Sequence, residues 1–101
     1  MAGVRDMPGL EAVLARARHQ WTYGECDLCV LAAAYAYGIA RTHPFIDGNK
    51  RTAWVLTRLF LALNGVSIAF APADAVLIMM QLAAGSEDEQ GLANWLTTRS
   101  A

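Results

Sequence analysis

His43, Asp47, Asn49, Lys50 and Arg51 lie within nine residues of each other, in the run His43-Pro44-Phe45-Ile46-Asp47-Gly48-Asn49-Lys50-Arg51-Thr52. Each is of a type that can help to move a phosphate. An imidazole exchanges protons near neutrality, so His43 can take the proton from an attacking hydroxyl. Lys50 and Arg51 bring positive charge, and a guanidinium offers phosphate oxygens a planar fork. Asp47 is the odd member, because a carboxylate repels phosphate. A divalent cation between the two removes the conflict, and oxygen ligation suits magnesium. The set predicts His43 as general base, Asp47 as Mg2+ ligand, and a metal-bound nucleotide polyphosphate as substrate. Phosphoryl or nucleotidyl transfer asks the protein mainly for positioning, charge stabilisation and a base.

The element that must position these groups is a helix starting at Gly48. A helix N-terminus exposes unpaired N–H groups and the positive end of the macrodipole. Gly48 and Asn49 are the residues best able to curl the backbone inward there, which makes an anion cradle. Phosphate contacts are therefore expected from Gly48, Asn49, Lys50 and Arg51. Phe45 is expected to bury its ring and anchor the loop, with Pro44 restricting it. A plainer reading stands beside this one. Asp47 could be an ordinary N-cap accepting the N–H of Lys50, with Lys50 and Arg51 as solvated charges. It is the concentration of all these residues at one junction that favours chemistry.

The other elements follow from periodicity and stop signals. Leu10, Val13, Leu14 and Ala17 predict a helix over about Pro8 to His19, with Asp6 able to cap it. Gln20 to Gly24 reads as a connection. A helix apolar nearly all round follows over about Glu25 to Ala40 and belongs in the middle of a bundle. Arg41 to Asp47 reads as a loop, since Pro44 disfavours helix before it. The third helix runs from Gly48 to Asn64, with Leu56, Leu59, Phe60 and Leu63 as its apolar stripe, and Asn64-Gly65 stops it. A short extended piece, Val66 to Phe70, leads to a helix from Pro72 to Ala84 ended by Gly85. Ser86 and Glu89 suggest a capping box for a last helix to about Thr98. The expected fold is all-α, a compact bundle of about five helices in one domain over residues 1–101.

Composition supports this. The 101 residues are 55% hydrophobic with a net charge of −1, which gives no general reason to bind nucleic acid or membrane. The longest apolar stretch, Leu28 to Ala40, spans 13 residues and is too short to cross a bilayer. The start lacks the basic residues and apolar run of a signal peptide. Cys26 and Cys29 do not make a disulfide framework, and a zinc site would need more ligands than the chain offers. They read as small hydrophobes at a helix start. A cytoplasmic protein is the expectation. Met79-Met80 reads as core filling, and His19 as a cation complementing a helix C-terminus.

His-Pro-Phe-x-Asp-Gly-Asn-Lys-Arg resembles the signature of Fic/Doc proteins. The likeness extends to Arg5-Asp6, the run Ala32-Ala33-Ala34-Tyr35-Ala36, and Leu63-Asn64-Gly65. Fic adenylyltransferases carry Gly-Asn-Gly-Arg and a further arginine three residues on. Here Lys50 replaces the second glycine and Trp54 the further arginine, as in the Doc (death-on-curing) branch. That resemblance implies a toxin of a toxin–antitoxin system, a protein kinase using ATP and Mg2+ that phosphorylates elongation factor Tu and so inhibits translation. It also implies an antitoxin partner, and makes Arg41 a candidate contact for nucleotide or antitoxin. The segment Trp21-Thr22-Tyr23 resembles the flap that docks a target, although its aromatics read more simply as a packed lid. Doc-like sequences usually have a further helix before the part matching Arg5-Asp6, so a bundle without that first helix is expected. The alternatives are a Fic-type adenylyltransferase and a non-catalytic antitoxin-binding module.

Overall fold

The computed structural model describes residues 3–100, so the outermost positions of the expected 1–101 domain lie outside the described residues. Among the described residues five α-helices follow one another: α1 (Met7–Thr22), α2 (Leu28–Thr42), α3 (Asn49–Leu63), α4 (Pro72–Ala84) and α5 (Glu89–Arg99). The fold is all-α. Among the described residues the only β pairing is two isolated bridges, Val4 with Phe45 and Ile68 with Ser100. Among the described residues no helix is long and apolar enough to cross a membrane.

α2 is the helix around which the others pack. Leu31, Ala32, Ala33, Ala34, Ala36, Ile39 and Ala40 are all buried, and α2 touches each of the other four helices. Its alanines let neighbours approach closely without side-chain entropy to lose. At Gly38 the approach is closer still, since an added Cβ would lie 2.6 Å from Val13 Cγ1 on α1. Leu61 of α3, Ile78, Met79 and Leu82 of α4, and Leu92 and Leu96 of α5 complete the core.

The helix limits depart from the sequence in instructive places. α1 continues through Gln20, Trp21 and Thr22, which the sequence assigns to a connection. Trp21 and Tyr23 are 60% and 84% exposed, so they are not the packed lid expected of them. α2 begins at Leu28 behind Asp27 rather than at Glu25, leaving Cys26 exposed and only Cys29 buried. It also runs on to Thr42, so Arg41 belongs to a helix rather than a loop. On α3 the buried residues are Ala53, Thr57 and Leu61, whereas Leu59 and Leu63 of the expected stripe are 51% and 77% exposed. The expected capping box of α5 is not formed. Asp88 caps that helix by accepting the Gly91 N–H, while the Ser86 hydroxyl donates to the Gln81 carbonyl at the end of α4.

Candidate active site

α2 ends on His43, whose φ of +52° places it in the left-handed region. Among the described residues it is the one non-glycine with positive φ. That conformation costs an ordinary residue about 1–2 kcal/mol, so its neighbours must hold it. Every backbone polar group from the His43 N–H to the Ile46 N–H has a partner. The His43 N–H donates to the Ile39 carbonyl at 3.1 Å, and the His43 carbonyl accepts from the Arg5 guanidinium. The Pro44 carbonyl accepts the N–H groups of Arg5 (2.8 Å) and Asp6 (3.0 Å), and the Ile46 N–H donates to the Gly3 carbonyl at 2.7 Å. Phe45 is clamped from the other side. Its N–H donates to Asn49 Oδ1 and its carbonyl accepts from Asn49 Nδ2, both at 2.9 Å.

The loop is thus stitched between the segment Gly3–Asp6 and the first turn of α3. Pro44 is fully buried beneath it, and Phe45 packs half-buried against the core cluster. The His43 side chain is half-buried, and its ring makes no hydrogen bond among the described residues. No described residue therefore engages its nitrogens.

The start of α3 has a different construction. Gly48 is its N-cap, left-handed at φ +72°, and no side chain caps the helix. An added Cβ there would touch nothing within 4 Å, so glycine is needed for its φ and not for space. Asp47 is not the cap of the plainer reading. Its Oδ1 accepts the N–H of Gly48 at 2.7 Å and its side chain is exposed. The first-turn N–H groups of Asn49, Lys50 and Arg51 consequently have no side-chain acceptor, which suits an anion. The Asn49 side chain is spent on Phe45, so a phosphate here meets its backbone N–H alone.

Asp47, Gly48, Asn49, Lys50 and Arg51 form one end of a cavity of about 670 Å³ between α3 and α4. Its remaining wall is Trp54 and Arg58 of α3, Phe70, and the α4 residues Pro72, Ala75, Val76, Met79 and Met80. Three cations, Lys50, Arg51 and Arg58, stand here against the single carboxylate of Asp47, in a chain whose net charge is −1. One exposed carboxylate fits magnesium held jointly with substrate phosphate, an ion that keeps several waters of its own. Among the described residues no three His, Cys, Asp or Glu side chains gather into a protein-only cage.

Other expected site residues are placed elsewhere. Arg41 lies over the C-terminal end of α4, where its Nη1 is 3.4 Å from the Ala83 carbonyl, and it is not part of the cavity wall. His43, at the other end of the loop that leads to Asp47, is not part of the cavity wall. Trp21 lines a separate recess of about 270 Å³ with Leu31, Tyr35 and Phe60, so the Trp21–Tyr23 segment and the motif do not share a pocket. Arg5, Arg58 and Phe70 were missed as site residues. The signal for Arg58 is its spacing: four residues after Trp54 and seven after Arg51, it falls on their helix face.

This chain belongs to the Fic/Doc family, whose profile matches residues 2–61, and it groups with the Doc toxins. Toxin Doc of Mycolicibacterium smegmatis is 44% identical over 69 residues, covering 65% of this chain and 52% of that toxin. Protein kinase doc of Escherichia phage P1 is 38% identical over 73 residues, covering 71% of this chain and 58% of the kinase. The chain therefore spans a little over half the length of the curated relatives it matches.

Proposed function

We propose that this protein is the toxin of a toxin–antitoxin pair and a protein kinase that moves the γ-phosphate of ATP to a serine or threonine of a translation factor. Elongation factor Tu is the target that the Doc resemblance suggests. The observation that carries this reading is the uncapped start of α3, with Asp47, Lys50 and Arg51 around it, a few residues after a histidine whose loop is hydrogen-bonded at each backbone group from the His43 N–H to the Ile46 N–H.

In this scheme the target hydroxyl docks at His43, which takes its proton as the oxygen attacks phosphorus. The new O–P bond forms as the bond from the γ-phosphorus to the β–γ bridging oxygen breaks, and ADP leaves. The N–H groups of Asn49, Lys50 and Arg51, with the side chains of Lys50 and Arg51, hold the phosphoryl oxygens in place. Asp47 would hold Mg2+, which when bound would screen charge on the polyphosphate. Lys50 and Trp54, in place of a glycine and an arginine of adenylyltransferases, favour phosphoryl over AMP transfer. The names of the two relatives, a toxin and a protein kinase, support the same choice. An antitoxin segment that folds on binding would restrain the enzyme in the cytoplasm.

The test uses ATP labelled at the γ or the α position, with the purified protein and a bacterial extract. Label from the γ-phosphate should appear on a protein of the size of a translation factor, and His43→Ala should reduce it at least about a hundredfold. Transfer of α-label would make the protein an adenylyltransferase instead. Undiminished growth arrest by His43→Ala would leave a non-catalytic antitoxin-binding module.

A further inference from the structure

The cavity beside the motif is chemically divided. Its Asp47–Arg51 end is charged, and the rest is aromatic, methionine-rich and aliphatic. A polyphosphate can use only the first part. Beyond it, Trp54 meets Phe70 edge to face with ring centres 5.0 Å apart, and the Arg58 guanidinium lies over the same Phe70 ring, 5.1 Å from its centre. Arg58 has no carboxylate partner among the described residues. An unpaired guanidinium resting on an aromatic ring, in a cavity that the flexible thioether of Met80 also lines, is a surface on which another flat ring can lie.

We propose that the cavity takes a nucleoside triphosphate lengthwise, with its base in the recess of Trp54, Arg58, Phe70 and Met80, and that Arg58 is the contact that makes the base count. This rests on the reading of the Asp47–Arg51 end as the phosphate site. From Arg51 to Arg58 the helix rises about 10 Å, which leaves phosphates and sugar room between the two ends. The volume of about 670 Å³ lies inside the range of roughly 300–1,000 Å³ usual for ligands of this size. One side of the guanidinium is against Phe70, so the base meets the other side by stacking. Stacking uses the face that every base has and reads little of its edge. The site therefore requires a base and barely discriminates which purine it is.

Calorimetric titration of the whole protein with the magnesium complexes of ATP, GTP and inorganic tripolyphosphate tests this. ATP and GTP should bind within about threefold of each other, and tripolyphosphate about tenfold or more weaker, as expected for one lost stacking contact. Arg58→Ala and the charge-preserving Arg58→Lys should both weaken ATP about tenfold while leaving tripolyphosphate within about twofold. Arg58 is exposed, so both variants should show the circular dichroism of the parent. Tripolyphosphate binding as tightly as ATP, or Arg58→Ala weakening both equally, would overturn the base site and leave the phosphate site standing. Failure of all three ligands to bind would remove both.

Discussion

Three helices of this bundle begin behind an aspartate that seals them. Asp6 accepts the Gly9 N–H, Asp27 those of Cys29 and Val30, and Asp88 that of Gly91. α3 is preceded by an aspartate as well, yet Asp47 stands one position too early and accepts only from Gly48. The difference between these starts is the left-handed Gly48 inserted between acid and helix. In three places a carboxylate completes the backbone, and in the fourth the same residue type is moved out of capping register. That leaves N–H groups open to an external anion and a carboxylate open to an external cation.

Four substitutions test this contrast, beginning with the largest expected effect. Asp47→Asn should cut phosphoryl transfer by at least about a hundredfold while changing unfolding free energy by less than about 0.5 kcal/mol, as befits an exposed side chain. Destabilisation of the size seen for a cap would mean that Asp47 seals α3 in solution. Asn49→Ala leaves the Phe45 N–H and carbonyl without partners, and urea unfolding should register a loss of about 2–3 kcal/mol. Asp27→Ala should cost about 1 kcal/mol, read as a fall in Tm of about 4–8 °C, with transfer by the folded protein unchanged. Arg41→Ala should move stability by less than about 0.5 kcal/mol and leave nucleotide affinity untouched.

Elements bounded by residues with strong local preferences were legible in the sequence. Pro72 and Gly85 delimit α4 as expected, and Gly48 and Gly65 bracket α3. In α1 the apolar period stops at Ala17 and marks only part of the helix, because period reports burial rather than helicity. The solvent-facing turn to Thr22 continues without it. On α3 the helical spacing of Leu56, Leu59, Phe60 and Leu63 points to a stripe of which Leu59 and Leu63 are exposed. The buried residues of α3 are instead Ala53, Thr57 and Leu61, two of them small, as suits a helix packed closely against its neighbours. The motif loop was legible because its residues are neighbours in sequence. Arg5, some 40 positions upstream, Phe70 and Met80 reach the site only through the fold, and no local pattern announces them.

The stitching of His43–Ile46 to Gly3–Asp6 ties the candidate loop to a segment that lies outside the five helices and is held by few hydrogen bonds of its own. Segments with few buried apolar contacts open locally more often than core helices do. When Gly3–Asp6 detaches, the bonds to the Pro44 and His43 carbonyls and the Ile46 N–H go together, and His43 loses support for its left-handed backbone. Catalysis would then be governed by a sub-global opening and not by global unfolding. As denaturant rises, transfer should fade while α2 and its neighbours still report full helicity. Hydrogen exchange at Arg5, Asp6 and Ile46 should accelerate in step with that early loss.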